Sequence, residues 1–209
     1  MAENTAEDYG WNSPHGPQSC GYITPRVLKI LGHLGARTVL DLGAGNGALC
    51  GVLAAKGFQV TGVEVDRQGV KIARATHPGV RFYNLGVEDS PTEMMATEQP
   101  FDALVSTEVV EHLFAPHQLP IFASRVLRTG GHLILSTPYH GYLKNLALSI
   151  LDHWDEHHTP LWHGGHIKFW SRSTLGRLLA DNGFLVTAFS GVGRLPYLWK
   201  SMILVARKV

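Results

Sequence analysis

Cysteine is scarce in this chain: two residues, Cys20 and Cys50, in 209. That pair supports neither a disulfide framework nor a Cys-rich zinc site, and a reducing, cytoplasmic setting is expected. Charge of one sign is lacking too. Eighteen Lys and Arg against 17 Asp and Glu leave a formal net charge of +1, which gives no electrostatic ground for nucleic acid as a partner. No apolar run is long enough to span a bilayer, so no transmembrane segment is expected. The opening Met1-Ala2-Glu3-Asn4-Thr5-Ala6-Glu7-Asp8 is acidic rather than signal-like. H-E-x-x-H is absent, which removes a zinc-protease reading. Internal repeats and low-complexity tracts are absent as well.

What is present is a fairly apolar sequence, 44% hydrophobic and 17% charged, of a length suited to one domain spanning 1–209. Residues 1–20 carry Gly, Pro, Asn and Ser without periodicity and read as an arm or flexible cap. Thr24-Pro25 marks a helix start, with Val27, Leu28, Leu31 and Leu34 at helical spacing. Strands are expected at Thr38–Leu42, Phe58–Val63, Val80–Tyr83, Phe101–Ser106 and Gly131–Ser136, separated by helical segments, including helices over Val109–Leu127. Alternation of this kind implies an α/β fold, a Rossmann-like, doubly wound, mostly parallel sheet. Phe184–Ser190 and Ser201–Ala206 add a C-terminal antiparallel hairpin, for seven strands in all. Residues 138–168 form an insertion over the carboxyl edge, a lid expected to cover a substrate. Within it one amphipathic helix is expected between Gly141 and Trp162, with a stripe of Leu143, Leu146, Ala147, Ile150, Leu151 and Trp154. Packing inside is the expectation for that stripe. Peripheral contact with a membrane is the minority reading, because the helix lacks a basic band.

The most informative run is Thr38-Val39-Leu40-Asp41-Leu42-Gly43-Ala44-Gly45-Asn46-Gly47. An apolar strand ends in an acid and opens onto a glycine loop, where the backbone turns tightly and approaches a ligand without an intervening side chain. About twenty residues on, a second strand ends in Glu64, the spacing of a carboxylate that holds ribose hydroxyls. Gly43, Gly45 and Ala48 also satisfy a weak G-x-G-x-x-G/A pattern, so a nicotinamide-dependent oxidoreductase is a rival. Asp41 argues against it: a buried carboxylate beside the loop repels a pyrophosphate and attracts an ammonium or sulfonium. The segment D-L-G-A-G-N-G resembles motif I of the class I methyltransferases that use S-adenosylmethionine (SAM). That resemblance implies SAM contacts at Asp41, Gly43, Ala44, Gly45, Asn46, Glu64 and Val65, at Val87 and Glu88 beside the adenine, and at Thr107 and Val109.

After the fourth strand comes Ser106-Thr107-Glu108-Val109-Val110-Glu111-His112-Leu113. Glu108, Glu111 and His112 stand at i, i+3 and i+4, so a single helical turn would carry all three to one side. Two carboxylates and an imidazole suit Mg²⁺ or Mn²⁺ better than structural zinc. In a first turn, the helix dipole alone would also favour the two acids.

E-V-V-E-H-L, followed by a Gly-Gly strand ending Ser136-Thr137-Pro138, resembles the ubiquinone-biosynthesis O-methyltransferases. In that family E-x-x-E-H is a divalent-metal site, completed by a histidine ahead of a short aromatic segment and a helix. His166-Ile167-Lys168-Phe169-Trp170-Ser171 matches that arrangement. The resemblance implies metal ligands at Glu108, Glu111, His112 and His166, with Glu111 and His112 catalytic, and a phenol- or catechol-like hydroxyl acceptor. The small-RNA 3′-terminal 2′-O-methyltransferases share a similar motif, which keeps an RNA acceptor as the alternative. One departure stands out. The family commonly places an arginine for the SAM carboxylate ahead of Gly21-Tyr22-Ile23, where this chain has Gln18-Ser19-Cys20. Histidine is abundant, 12 residues with five between His153 and His166. His140 and His163 are candidate proton acceptors, against a bland reading of the tract as a polar lid.

Overall fold

The computed structural model describes residues 9–158, 160–161 and 165–209. Helix α1 (Cys20–Leu34) leads into β1 (Thr38–Leu42) and α2 (Ala48–Ala55), followed by β2 (Gln59–Glu64), α3 (Arg67–Thr76), β3 (Arg81–Asn84) and the short α4 (Thr92–Met95). From β4 (Phe101–Thr107) a 3-10 turn (Val110–His112) leads to α5 (Gln118–Val126) and the long β5 (Leu127–Pro138). Then come α6 (Tyr142–Ile150), α7 (Trp154–His158), α8 (Arg172–Ala180), β6 (Phe184–Val192) and β7 (Ser201–Lys208).

The seven strands lie in the order β3-β2-β1-β4-β5-β7-β6. Neighbours pair in parallel, except that β7 runs antiparallel to both β5 and β6. The doubly wound α/β sheet with a C-terminal antiparallel hairpin is therefore as expected. Alternate residues of each strand feed opposite layers. Leu40, Leu42, Leu133 and Leu135 meet Phe122, Phe184 and Leu204 on one face, while Val39 and Ile134 meet Ile23, Val27, Leu31 and Leu53 on the other. Burial on both faces explains why β1 reads as a continuous apolar run.

Five local expectations are corrected. Helix α1 begins at Cys20 rather than at Thr24-Pro25, so Pro25 sits inside it. Amide bonds from Cys20, Gly21 and Tyr22 back to Pro17, Gln18 and Ser19 build the first turn, and the helix continues past the one bond that Pro25 cannot donate. The helices expected over Val109–Leu127 shrink to the 3-10 turn and α5, because Pro116 disfavours helix at the residue before it. Glu108 itself lies at φ 55, so Glu108, Glu111 and His112 do not share one α-helical turn.

Among the described residues the insertion carries two helices rather than one. Asp152, in the left-handed region at φ 54, ends α6, and the His153 amide bonds back five residues to the Leu148 carbonyl at 3.0 Å. The stripe expected inside faces outward: Ile150 is 72% and Leu151 63% exposed, with Leu143, Leu146 and Trp154 also exposed, whereas Lys144 is only 3% exposed. The Lys144 Nζ donates to the Lys200 carbonyl at 3.4 Å, which anchors the polar face against the start of β7. Among the described residues, no helix is long and apolar enough to cross a membrane.

The described part of the arm is packed against the glycine loop. Asn46 Nδ2 donates to the carbonyls of Ser13 (2.9 Å) and His15 (2.8 Å), and the Tyr9 amide donates to Asp66 Oδ2 at 2.9 Å. Trp11 lies so close over Gly45 that a Cβ there would collide with its ring. Asn46→Ala should orphan both carbonyls and lower stability by about 1–3 kcal/mol. Urea unfolding against the parent protein measures it.

Candidate functional site

β1 and β4 are adjacent, yet the chain leaves them toward opposite faces, which opens a crevice at their carboxyl ends. The glycine loop floors it. Gly43 and Ala44 amides both donate to the Val63 carbonyl, at 2.8 and 2.9 Å. Gly43 takes φ 82 and has Val109 pressed against it, leaving no space for a side chain. Glu64, buried at the end of β2, accepts the Gly45 amide through Oε2 (2.7 Å) and the Asp66 amide through Oε1 (2.8 Å). Asp66 then caps α3 by accepting from the Gln68 and Gly69 amides.

Asp41 is buried beneath the loop. Its Oδ2 accepts the Cys50 thiol at 3.2 Å, and its Oδ1 has no partner among the described residues. Burial pushes its carboxyl up to about 7, with the Cys50 bond partly opposing and the Glu64 charge adding to the rise. An orphaned buried carboxylate oxygen of this kind fits a cationic ligand.

A cavity of about 910 Å³ joins these parts. All the positions expected to contact SAM line it: Asp41, Gly43, Ala44, Gly45, Asn46, Glu64, Val65, Val87, Glu88, Thr107 and Val109. Asn46 contributes in a way that the sequence did not suggest, since its amide holds the arm. The arm residues Trp11, Asn12, Ser13 and His15 form a wall that sequence reasoning missed. A tryptophan within a polar, Gly- and Pro-rich stretch was the available signal.

The acidic turn lies at the same edge. Glu108 Oε1 accepts from Ser136 Oγ (2.7 Å) and Oε2 from Ser201 Oγ (3.0 Å). Glu111 is fully buried, its Oε2 accepts from Thr137 Oγ1 (3.0 Å), and its Oε1 has no partner among the described residues. Burial raises both carboxyls: Glu108 to about 7, and Glu111 well above the usual range with the Glu108 charge adding to it. The returning chain is stitched to this turn. Ile167 and Lys168 amides both donate to the Glu111 carbonyl, at 2.9 and 3.0 Å, and His112 Nδ1 lies 3.2 Å from the Gly165 carbonyl.

His166 is thereby brought against His112, ring centroids 5.0 Å apart. Glu111, His112 and His166 each offer a donor atom within 4.8 Å of the others. Glu108, the fourth expected ligand, is outside that group and turned to its serines. One carboxylate and two imidazoles, with one carboxylate oxygen unpartnered, fit a divalent cation. His112 in the tautomer that donates Nδ1–H to a carbonyl keeps Nε2 as a base, a common arrangement for a metal-binding imidazole. His140 belongs elsewhere, in a separate group with His157 and His158, and His163 lies outside the described residues.

A family model described as a methyltransferase domain matches residues 18–188. The chain is 35% identical over 141 residues to the ubiquinone biosynthesis O-methyltransferase of Xylella fastidiosa (strain M23), covering 61% of this chain and 54% of that protein. It thus spans about half the length of that curated relative. The protein of the same name from Bradyrhizobium diazoefficiens is 28% identical over 196 residues, covering 87% of this chain and 74% of its own. Among solved structures, magnesium protoporphyrin IX methyltransferase from Synechocystis PCC 6803 with bound SAH superposes with a TM-score of 0.67 at 19% identity, over 90% of this chain and 82% of that one. That likeness bears on the fold.

The raised Glu108 carboxyl sets a pH dependence. Between its ordinary 4.5 and about 7 the native state holds a proton that the unfolded state has released. Its contribution to stability is therefore present below about pH 4.5 and is lost as pH rises to 7. Glu108→Gln removes that linkage. The stability of the parent relative to Glu108→Gln should fall by about 1–3 kcal/mol from pH 5 to 7.5, in urea unfolding at both pH values.

Proposed function

Because the chain belongs to the methyltransferase-domain family, we propose that it is a SAM-dependent O-methyltransferase of the ubiquinone-biosynthesis type. The acceptor is the hydroxyl of a small phenol- or catechol-like molecule. The observation that carries this reading is that one cavity runs from the glycine loop and Glu64 to His112 and His166.

SAM supplies the methyl group, which passes directly to the acceptor oxygen without a covalent intermediate on the chain. Glu64 binds the ribose hydroxyls, and Val87 and Glu88 flank the adenine. The unpartnered Asp41 Oδ1 draws the cationic end of the ligand across the Gly43–Gly47 loop. The arm from Trp11 to His15 covers that loop and keeps water from it. A phenol titrates near pH ~10 and is a poor nucleophile at neutral pH until its proton is removed. A divalent cation would supply the Lewis acidity that lowers this pKa; Glu111, His112 and His166 would hold it, while Glu108, turned to Ser136 and Ser201, borders the site. Through that cation Glu111 and His112 would orient the acceptor hydroxyl, whose lowered pKa lets its proton pass to water. The insertion at 138–168 closes over the acceptor, and the outward apolar stripe of α6 supports peripheral contact with a membrane.

The near-neutral charge of the chain supports a small molecule over an RNA end, which would call for a basic face. Asp41 and the family match leave no support for the nicotinamide alternative.

Titration calorimetry should detect SAM and its demethylated product. Glu64→Ala should weaken both by about 10-fold or more, since two ribose hydrogen bonds are lost. Binding of NAD with no binding of either nucleoside overturns the assignment. Chelation should abolish methyl transfer to a catechol acceptor while SAM affinity stays within about twofold, and His112→Ala should behave alike. Transfer at the original rate in fully chelated protein would refute the metal's role.

A further inference from the structure

A second histidine group lies apart from the cavity and shares no residue with the first. His140 follows β5, while His157 and His158 end α7, and one ring nitrogen of each lies within 4.8 Å of the others. The His140 and His158 rings are nearly parallel (20°) at 5.5 Å, and His157 meets His158 edge-on at 4.9 Å. His158 is only 7% exposed. Both of its ring nitrogens, and Nε2 of His140, are buried without a hydrogen-bond partner among the described residues. Imidazole nitrogens kept from water normally find a partner. Two neighbouring imidazoles with buried, unpartnered nitrogens, beside the third ring of His157, need an explanation.

Phe169 stands edge-on to both His140 (5.1 Å) and His158 (5.0 Å), and Trp154 packs on His158 at 4.2 Å. This aromatic shell excludes water but offers no acceptor to the nitrogens. Burial, and after it the nearby Lys144 ammonium, hold all three imidazoles toward their neutral form. Neutral imidazole is the form that coordinates a metal.

We propose that His140, His157 and His158 form a binding site for a borderline transition-metal ion, Zn²⁺ being the type. Three imidazoles without a carboxylate suit zinc and its neighbours and disfavour Mg²⁺ and Ca²⁺. Zinc–nitrogen bonds of about 2.0–2.1 Å in a tetrahedron put ligand nitrogens about 3.4 Å apart, so from separations within 4.8 Å the group need contract by no more than about 1.4 Å on binding. Three protein ligands leave the fourth position to water. The ion ties the far end of the insertion to the end of β5 and so clips the loop that carries α6. The ammonium of Lys144 opposes the ion and limits its affinity. The site is independent of the methyl-transfer reading, and its test measures no methyl transfer.

The test uses the full chain, stripped of metal, in a His112→Ala/His166→Ala background that dismantles the other histidine pair. Calorimetry with Zn²⁺ alone should show one equivalent bound at micromolar Kd or tighter, undisturbed by excess Mg²⁺. Adding His140→Ala or His157→Ala should weaken it at least about 10-fold. Co²⁺ should give the intense visible bands of a four-coordinate ion in the background protein, a readout that needs no further variant. Hydrogen exchange across 141–158 should slow with Zn²⁺. Failure of the background protein to bind Zn²⁺, six-coordinate Co²⁺ spectra, or undiminished binding by either added variant overturns the proposal.

Discussion

The ligand-facing half of this molecule depends on one buried carboxylate. Glu64 spans from the glycine loop to the start of α3 by accepting the Gly45 and Asp66 amides. Burial alone would favour its neutral form, and its pKa is raised, but the two amides oppose that shift. Asp66, fixed by this contact, caps α3 and receives the Tyr9 amide. Gly45 in turn lies under Trp11. The loop, a helix N-terminus and the arm therefore converge on a single side chain at the end of β2.

A backbone carbonyl plays the matching part on the other side. The Glu111 oxygen accepts two successive amides, Ile167 and Lys168, while Trp170 Nε1 reaches the Val110 carbonyl at 3.4 Å. These bonds fix where the chain re-enters the fold after the insertion. The His166 position beside His112 follows from them, whatever conformation the residues in between take. Ser171 then opens α8 with a reciprocal capping box to Thr174. Return, histidine and cap occupy six consecutive residues, which is why His166 to Ser171 was legible as a unit.

The sheet was legible because its strands are short apolar runs separated by helical periods, and burial on both faces enforces that pattern. The cavity positions were legible because glycines and strand-end acids have little other reason to cluster. What escaped was set by contacts distant in sequence. Nothing local says that Glu108 will adopt φ 55 and turn to Ser136 and Ser201, the latter 93 residues away. The orientation of α6 escaped for the same reason. Hydrophobic periodicity identifies an apolar face without saying whether a core exists to receive it, and here Lys144 is the buried anchor. The arm looked featureless because its bonds run from its carbonyls to Asn46, leaving no side-chain pattern in the sequence.

The electrostatics of the crevice give these pieces a common direction. Asp41 and Glu111 are buried and Glu108 is half-buried at its wall or just behind it, and all three carboxyls are raised, with desolvation the largest cause in each. Asp41 and Glu111 each also keep an oxygen without a partner among the described residues. A fold gains nothing in stability from such groups, since an unpartnered buried acid costs more than the apolar residue that could replace it. Positive charge arriving in the crevice would reverse the balance by restoring both ionisation and a partner. Three raised acids around one cavity therefore support the cationic ligands proposed above, whose binding would raise folding stability.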